Sequence, residues 1–214
     1  MEYETILGDV HILLKAKCGS KRYGYDAGTN DSDWFVLTPT TDRYYTDHKT
    51  LTDWFAVSVN TLRAQWGHPL FLGDITGNCD RKGNERLCAF LAGHKHDIAY
   101  AAPGKTVIYG LEQIATGEQY GYRSPIKAGL RTAMIISHMA VRAEDPFLLS
   151  EEEKAILIRA RTGEVLEEER VAIYRRTISP ENIDRLMKMP DHPAIKNELF
   201  QLIEDIISKE EIPC

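Results

Sequence analysis

Residues 18–36 read CGSKRYGYDAGTNDSDWFV, and the order of residue types in this stretch governs how the rest of the chain is read. Ahead of it, VHILLKAK (10–17) is a short apolar run of the kind that forms a buried strand, and it feeds Gly19-Ser20, a tight turn or helix start. At its far end Trp34, Phe35, Val36 and Leu37 favour a second pleated, buried strand, which Pro39 ends. Between the two strands lie a loop or short helix with glycines at both ends and then Asn30-Asp31-Ser32-Asp33, whose side chains bond nearby backbone amides in turns. Either half alone is ordinary turn chemistry. Together they have a chemical logic: glycine lets backbone approach a phosphate, serine and turn amides donate to its oxygens, and a carboxylate on the adjacent strand suits a Mg²⁺ ion that bridges phosphates.

Working outward, TLTDWFAVSVNTLRAQWGHP (50–69) shows helical spacing, with Trp54, Val57, Leu62 and Trp66 near one face and Gly67 and Pro69 as the stop. PLFLGDITG (69–77) reads as a third, buried strand. The predicted order of strand, turn, strand, helix, strand fits a compact mixed core over residues 1–80. Residues 81–214 read as a helical region packed on that core, so the fold class is α+β. NERLCAFLAGHKHDIAYAA (84–102) and KTVIYGLEQIATGEQ (105–119) are periodic in apolar residues, and SPIKAGLRTAMIISHMAVRAED (124–145) has a serine cap followed by proline at the first helical position. SEEEKAILIRARTGEV (150–165) opens with a Ser-x-x-Glu capping box and closes at Gly163, while Ser-Pro and His-Pro begin the last two helices.

Composition narrows the function classes. No apolar run approaches the roughly 18 residues that a membrane span requires, and the first residues lack the basic start and small-residue cleavage site of a secretory signal. Cys18, Cys79, Cys88 and Cys214 match neither a disulfide framework nor a zinc pattern. A cytoplasmic protein without membrane partners is the expectation. A net charge of −6 argues against extended nonspecific binding of nucleic acid but leaves room for a small anionic substrate in a local basic pocket.

GSKRYGYDAGTNDSD resembles the Gly-Ser, Tyr-Gly, Ser-Asp-x-Asp signature of the nucleotidyltransferase superfamily that includes DNA polymerase beta, and in particular its predicted nucleotidyltransferases associated with RNA repair. LTDWFAVSVNTLRAQWGHPLFLGDI is similar to that family's helix-then-strand segment, YRSPIKAGLRTAMI to its Lys-x-x-x-Arg helix, and LLSEEEKAILIRARTGEV and LFQLIEDI to its C-terminal helices. The resemblance implies a nucleotidyltransferase-like fold and transfer of a nucleotidyl group from a nucleoside triphosphate, with Mg²⁺ or Mn²⁺ as cofactor. It implies that Gly19 and Ser20 hold the triphosphate and that Asp33 is a metal ligand. The family's second motif aspartate falls at Phe35, so either Asp31, two residues before Asp33, or Asp74 is the expected replacement. Asp74 is also a candidate base for an attacking hydroxyl.

Lys127 and Arg131 stand i, i+4 on one helix face and are candidate phosphate ligands, with Lys21 and Arg22 adding positive charge beside the Gly-Ser turn. Tyr23 either stacks on a base or packs. His94, His96 and Asp97 have the residue types of a metal site without its spacing, and His138 reads as a packing histidine. Two further functions compete with transfer: a nucleotide phosphohydrolase on the same cradle, and a catalytically silent nucleotide-binding or interaction module, which Phe35 motivates. The acceptor is not specified by any motif.

Overall fold

The computed structural model describes residues 10–25, 33–47, 52–77, 83–116 and 125–209. The chain is α+β: a four-stranded mixed sheet followed by a helical C-terminal part. Strand β1 (Leu14–Lys17) leads into a single helical turn and a half, α1 (Gly19–Tyr23), and the chain returns as β2 (Trp34–Thr38). An edge hairpin of β3 (Arg43–Asp47) and β4 (Thr52–Ser58) completes the sheet in the order β1-β2-β4-β3. The β1–β2 and β3–β4 pairs are antiparallel, whereas β2 and β4 are parallel, in register from Trp34↔Trp54 to Thr38↔Ser58.

Alternation along the strands divides the sheet into two faces. Leu14, Phe35, Leu37 and Val57 turn to the helical side and join the main core, which runs from Leu13 to Ile206 and draws on both halves of the chain. Val36, Trp54 and Ala56 turn to the other side, where Val10, Ile12, Trp34 and Tyr45 pack on them. There Trp34 and Trp54 stack with ring centroids 5.9 Å apart, and the Lys15 ammonium sits 4.0 Å from the Trp34 ring centre.

Two elements differ from the expectation drawn from sequence. The helix expected over 50–69 is a strand up to Ser58 and a helix, α2 (Val59–Ala64), only beyond it. The aromatic and β-branched run Thr52–Val57 has partners on both sides, which favours a central strand over an isolated helix. The switch is fixed by Asp42, which accepts from the Ser58 amide at 2.7 Å and from the Ser58 hydroxyl at 2.9 Å. Ser58 in turn caps α2 by accepting from the Thr61 amide. Residues 69–75, expected as a third buried strand, form helix α3 (Pro69–Ile75). Proline at its first position is pre-set for a helix, and the short apolar segment buries Leu72 and Ile75 as one side of that helix. Strand β3 was not foreseen at all.

The later helices follow the caps more closely. The stretch 84–102 divides at His94 into α4 (Glu85–Gly93) and α5 (Lys95–Ala99). Helix α6 (Pro103–Thr116) pairs with α7 (Pro125–Ala140), the most deeply buried helix, whose Leu130, Ala133, Met134, Ile135 and Ile136 are all sealed from solvent. The expected cap at Ser124 lies outside the described residues. Helices α8 (Glu151–Thr162), α9 (Glu167–Thr177) and α10 (Pro180–Met187) surround α7, and α11 (Pro193–Lys209) returns to the sheet-side helices through a Trp66–Phe200 edge contact at 5.7 Å. Among the described residues no helix is long and apolar enough to cross a membrane.

His138 is a packing residue that ties α7 to the start of α8. Its Nδ1 lies 3.1 Å from the Pro146 carbonyl oxygen and its Nε2 2.9 Å from Glu153 Oε1, while the other oxygen of Glu153 accepts from the Ser150 amide to complete the capping box. The Glu153 hydrogen bond holds the His138 pKa above the ordinary 6.5. Burial alone would raise Glu153, but hydrogen bonds from His138 and Ser150 outweigh it and bring the carboxyl down to about 2. The Glu153 contribution to stability is present above about 4.5 and is lost as pH falls toward about 2; the His138 contribution is present below about 6.5 and is lost as pH rises through its raised value. Urea unfolding should therefore show Glu153→Gln destabilised by about 1–2 kcal/mol at pH 5.5, with the gap narrowing below pH 4 and again above pH 8.

Candidate functional site

On the helical face, the ends of β1, β2 and β4 meet α1, α3 and α7. The ladder between β1 and β2 continues one step past the strands, with the Cys18 amide donating to the Asp33 carbonyl at 3.0 Å. The Asp33 carboxylate then lies against the Cα of Gly19. Gly19 has φ +62°, and a Cβ there would strike the Asp33 carboxylate, with Asp33 Cγ at 2.8 Å and Cβ at 2.9 Å. Both the left-handed backbone and the close approach require glycine. Asp33 and Asp53 directly precede the register pair Trp34↔Trp54 on neighbouring strands, so strand alternation puts both with Phe35 on the helical face, at a strand spacing of roughly 4.8 Å. Asp53 Oδ1 accepts from Thr46 Oγ1 at 2.7 Å.

Behind these carboxylates are two guanidinium groups. Arg22, on α1, donates from Nε to the Gly73 carbonyl at 3.0 Å. Arg131, 8% exposed on α7, stands over the Tyr23 ring at 4.7 Å and donates from Nη1 to the Tyr25 hydroxyl at 3.4 Å. Arg22 Nη2, Arg131 Nε and the Tyr23 hydroxyl are buried without a hydrogen-bond partner, as is Nδ1 of His68, the residue before α3. Tyr23 packs: it is buried, stacks toward Tyr25 at 6.2 Å, and its hydroxyl would lie 2.6 Å from any Cβ placed on Gly73. Burial draws His68 down to about 4, assisted by Arg131, so its ring is neutral at physiological pH.

Asp74 projects from α3, not from a strand as expected, into the same cluster. Burial lifts its carboxyl to about 7 and Asp33 adds to the rise, against the pull of Arg131 and Arg22. The buried Cys18 thiol is raised well above its ordinary value, by burial first, then by Asp74 and Asp33, with a smaller effect from Asp53, so one atom senses all three carboxylates.

The structure thus brings together Gly19, Ser20, Arg22, Tyr23, Asp33, Asp74 and Arg131 of the residues singled out from sequence. Ser20 is buried, Lys21 is half-buried on α1, and Lys127 is half-buried one turn before Arg131. Asp31 lies outside the described residues. Phe35 is 1% exposed and packs toward Phe71, a core residue in the position of the motif aspartate. Asp53 is not among the residues singled out from sequence, because 50–69 reads there as one helix; a strand reading of TDWFAVS, with Asp53 two residues before Phe55 on the same face, finds it. His94, His96 and Asp97 form a surface cluster away from this site, with His94 Nδ1 3.3 Å from Asp97 Oδ2.

Among the described residues, no three His, Cys, Asp or Glu side chains are grouped to hold a metal ion. Mg²⁺ is ordinarily bound through one or two carboxylates together with substrate phosphates, and the adjacent Asp33 and Asp53 fit that donor set. The chain matches no protein-family model, no curated protein and no solved structure.

Because Asp74 is raised above its ordinary 3.8, the folded state gains from the protonated form below that value and loses the gain as pH climbs to about 7. Asp74→Asn should accordingly match the unaltered protein in thermal stability near pH 4. Above pH 8 it should be the more stable by at least about 1 kcal/mol, one pKa unit being worth about 1.4 kcal/mol. Gly19→Ala, by contrast, should lose at least about 1–2 kcal/mol at every pH from its backbone conformation alone, read by the same melts.

Proposed function

We propose that this chain is a metal-dependent nucleotidyltransferase, which moves the nucleotidyl group of a nucleoside triphosphate to a hydroxyl acceptor. The observation that carries the reading is a pair of guanidinium nitrogens, Arg22 Nη2 and Arg131 Nε, buried without a partner in the cluster that also holds an Asp33 carboxylate fitted onto Gly19. A buried N–H without an acceptor costs roughly 1–3 kcal/mol, and phosphate oxygens are the acceptors that a guanidinium fork suits best. The resemblance of GSKRYGYDAGTNDSD to the nucleotidyltransferase signature agrees with the same assignment.

In this reading Arg22, Arg131 and the Gly19-Ser20 backbone hold the β- and γ-phosphates, with Lys21 and Lys127 adding charge. Mg²⁺ or Mn²⁺, held by Asp33 with Asp53 and completed by phosphate oxygens, supplies charge neutralisation at the α-phosphate when bound. The acceptor oxygen forms a bond to the α-phosphorus as the bond to the β-phosphate oxygen breaks, and pyrophosphate leaves in line. Asp53 takes the acceptor's proton. Asp74, beside Arg22 and near 7, is suited to exchange a proton with the departing phosphate. Phe35 then restricts the metal set to carboxylates on different strands, in place of a pair on one strand.

Incubation with α-labelled nucleoside triphosphates and Mg²⁺ or Mn²⁺ tests the reading. Pyrophosphate release with the label on an acceptor is expected, and Asp33→Ala should lower the rate by at least about 100-fold while the protein remains folded by its cooperative thermal melt. Label recovered as free nucleoside monophosphate would mean water as the acceptor, the phosphohydrolase reading. Turnover that is absent, or indifferent to Asp33→Ala, would overturn both and leave a nucleotide-binding or interaction module.

A further inference from the structure

The chain carries a net charge of −6, yet three cations, Arg63, Lys105 and Lys196, meet where α2, α6 and α11 come together. The starts of α6 and α11 are joined by the His192 amide, which donates to the Ala101 carbonyl at 3.0 Å. Lys105 is in the first turn of α6 and Lys196 at the end of the first turn of α11, so this bond sets both at one junction. Arg63, near the end of α2, reaches the same place over Phe200. Its guanidinium carbon lies 4.6 Å from the Phe200 ring centre, the Lys196 ammonium lies 6.0 Å from it, and Trp66 meets that ring edge-on. Arg63 Nη2 donates to Glu204 Oε1 at 2.5 Å, which fixes the guanidinium over the ring. The fit around Lys105 is close as well: a Cβ on Gly67, next to Trp66, would lie 2.8 Å from the Lys105 Cβ. Lys196 itself is half-buried along the covered Phe200 ring, so its amine is partly shielded from water yet within reach of a small molecule.

We propose that Lys196 is a site of acylation by acyl phosphates, whose phosphate is recruited by Lys105 and Arg63. The proposal is independent of the nucleotidyl-transfer reading, because none of these three residues belongs to that site. Two cations beside an ammonium disfavour its proton, and an anion drawn between them relieves the same repulsion. Partial burial first, and then the charges of Lys105 and Arg63, hold Lys196 below its ordinary 10.5, so near neutrality more of its amine is free to act as a nucleophile. The unprotonated Nζ attacks the acyl carbonyl carbon. The C–N bond forms as the C–O bond to phosphate breaks, inorganic phosphate leaves with the bonding pair, and the surplus proton of the amine passes to water. The product is a neutral amide, which removes one cation from the crowded junction.

The test uses the full chain with acetyl phosphate, and mass spectrometry that reads acetylation lysine by lysine. At about pH 7.5 Lys196 should acetylate at least about fivefold faster than the exposed Lys188 and Lys209, and inorganic phosphate should slow it by competing for the two cations. Lys105→Gln should cut the Lys196 rate about threefold or more while Lys188 and Lys209 are unchanged, and Arg63→Gln carries the same expectation if Lys105→Gln melts early. The uncharged N-hydroxysuccinimide ester of acetic acid, run alongside, separates recruitment of the phosphate from reactivity of the amine, and Lys105→Gln should matter more for acetyl phosphate. Lys196 reacting no faster than Lys188 and Lys209, a rate indifferent to both substitutions, an absence of protection by inorganic phosphate, or an equal effect of Lys105→Gln on the two reagents overturns the proposal.

Discussion

The parallel, in-register pairing of β2 with β4 is the constraint on which the remainder of the structure depends, because strand alternation converts one alignment into the placement of every side chain on both faces. With Trp34 opposite Trp54, the two indoles stack on one side and Phe35 is driven into the core on the other. The same alignment sets Asp33 beside Asp53. A slip by one residue would exchange the two faces and expose the apolar set. Parallel strands need a connection that leaves the sheet edge and returns, and here β3 performs it by pairing on the outside of β4. Asp42 fixes the exit of β4 into α2 through its bonds to Ser58, so register and the strand-to-helix switch are set at one point.

Charge is concentrated where the sheet ends meet the helices. Burying Arg131 is costly unless its surroundings compensate, and the Tyr23 ring face and Tyr25 hydroxyl do so only in part. The carboxylates Asp33 and Asp74 raise one another's cost and are offset by Arg22 and Arg131. Such an arrangement is held by neighbours that cannot yield: Gly19 admits no Cβ next to Asp33, and Gly73 admits none under the Tyr23 hydroxyl. Four of the buried side-chain polar atoms without a partner, on Arg22, Tyr23, His68 and Arg131, belong to this cluster, whereas the Ser150–Glu153–His138 network satisfies its polar groups conventionally.

Local signals were legible where a residue acts on its own neighbours. Ser150-x-x-Glu153 forms its capping box, Ser179-Pro180 starts α10, and Gly163 closes α8 in the left-handed conformation, because each requires only backbone within a turn. The same holds for the Gly-Ser start of α1 and the apolar runs of β1 and β2. Illegible were the segments whose state is decided by distant partners. The Thr52–Val57 run shows helical spacing in its largest residues, yet it pairs with β2 and β3; the Pro69–Ile75 run is apolar enough for a strand, yet it has no strand to pair with and packs as a helix.

By itself, then, the sequence determined the α+β class, the Gly19-Ser20 helix start after β1, and the helical character of the C-terminal part, because turn chemistry, caps and apolar periodicity are properties of neighbouring residues. Only the tertiary structure decided that Asp53 joins Asp33, that Asp74 arrives from a helix, and that Arg131 stands over Tyr23. These placements depend on strand register and on where helices cover a sheet, quantities that arise between segments roughly 20 to 110 residues apart and have no local signature.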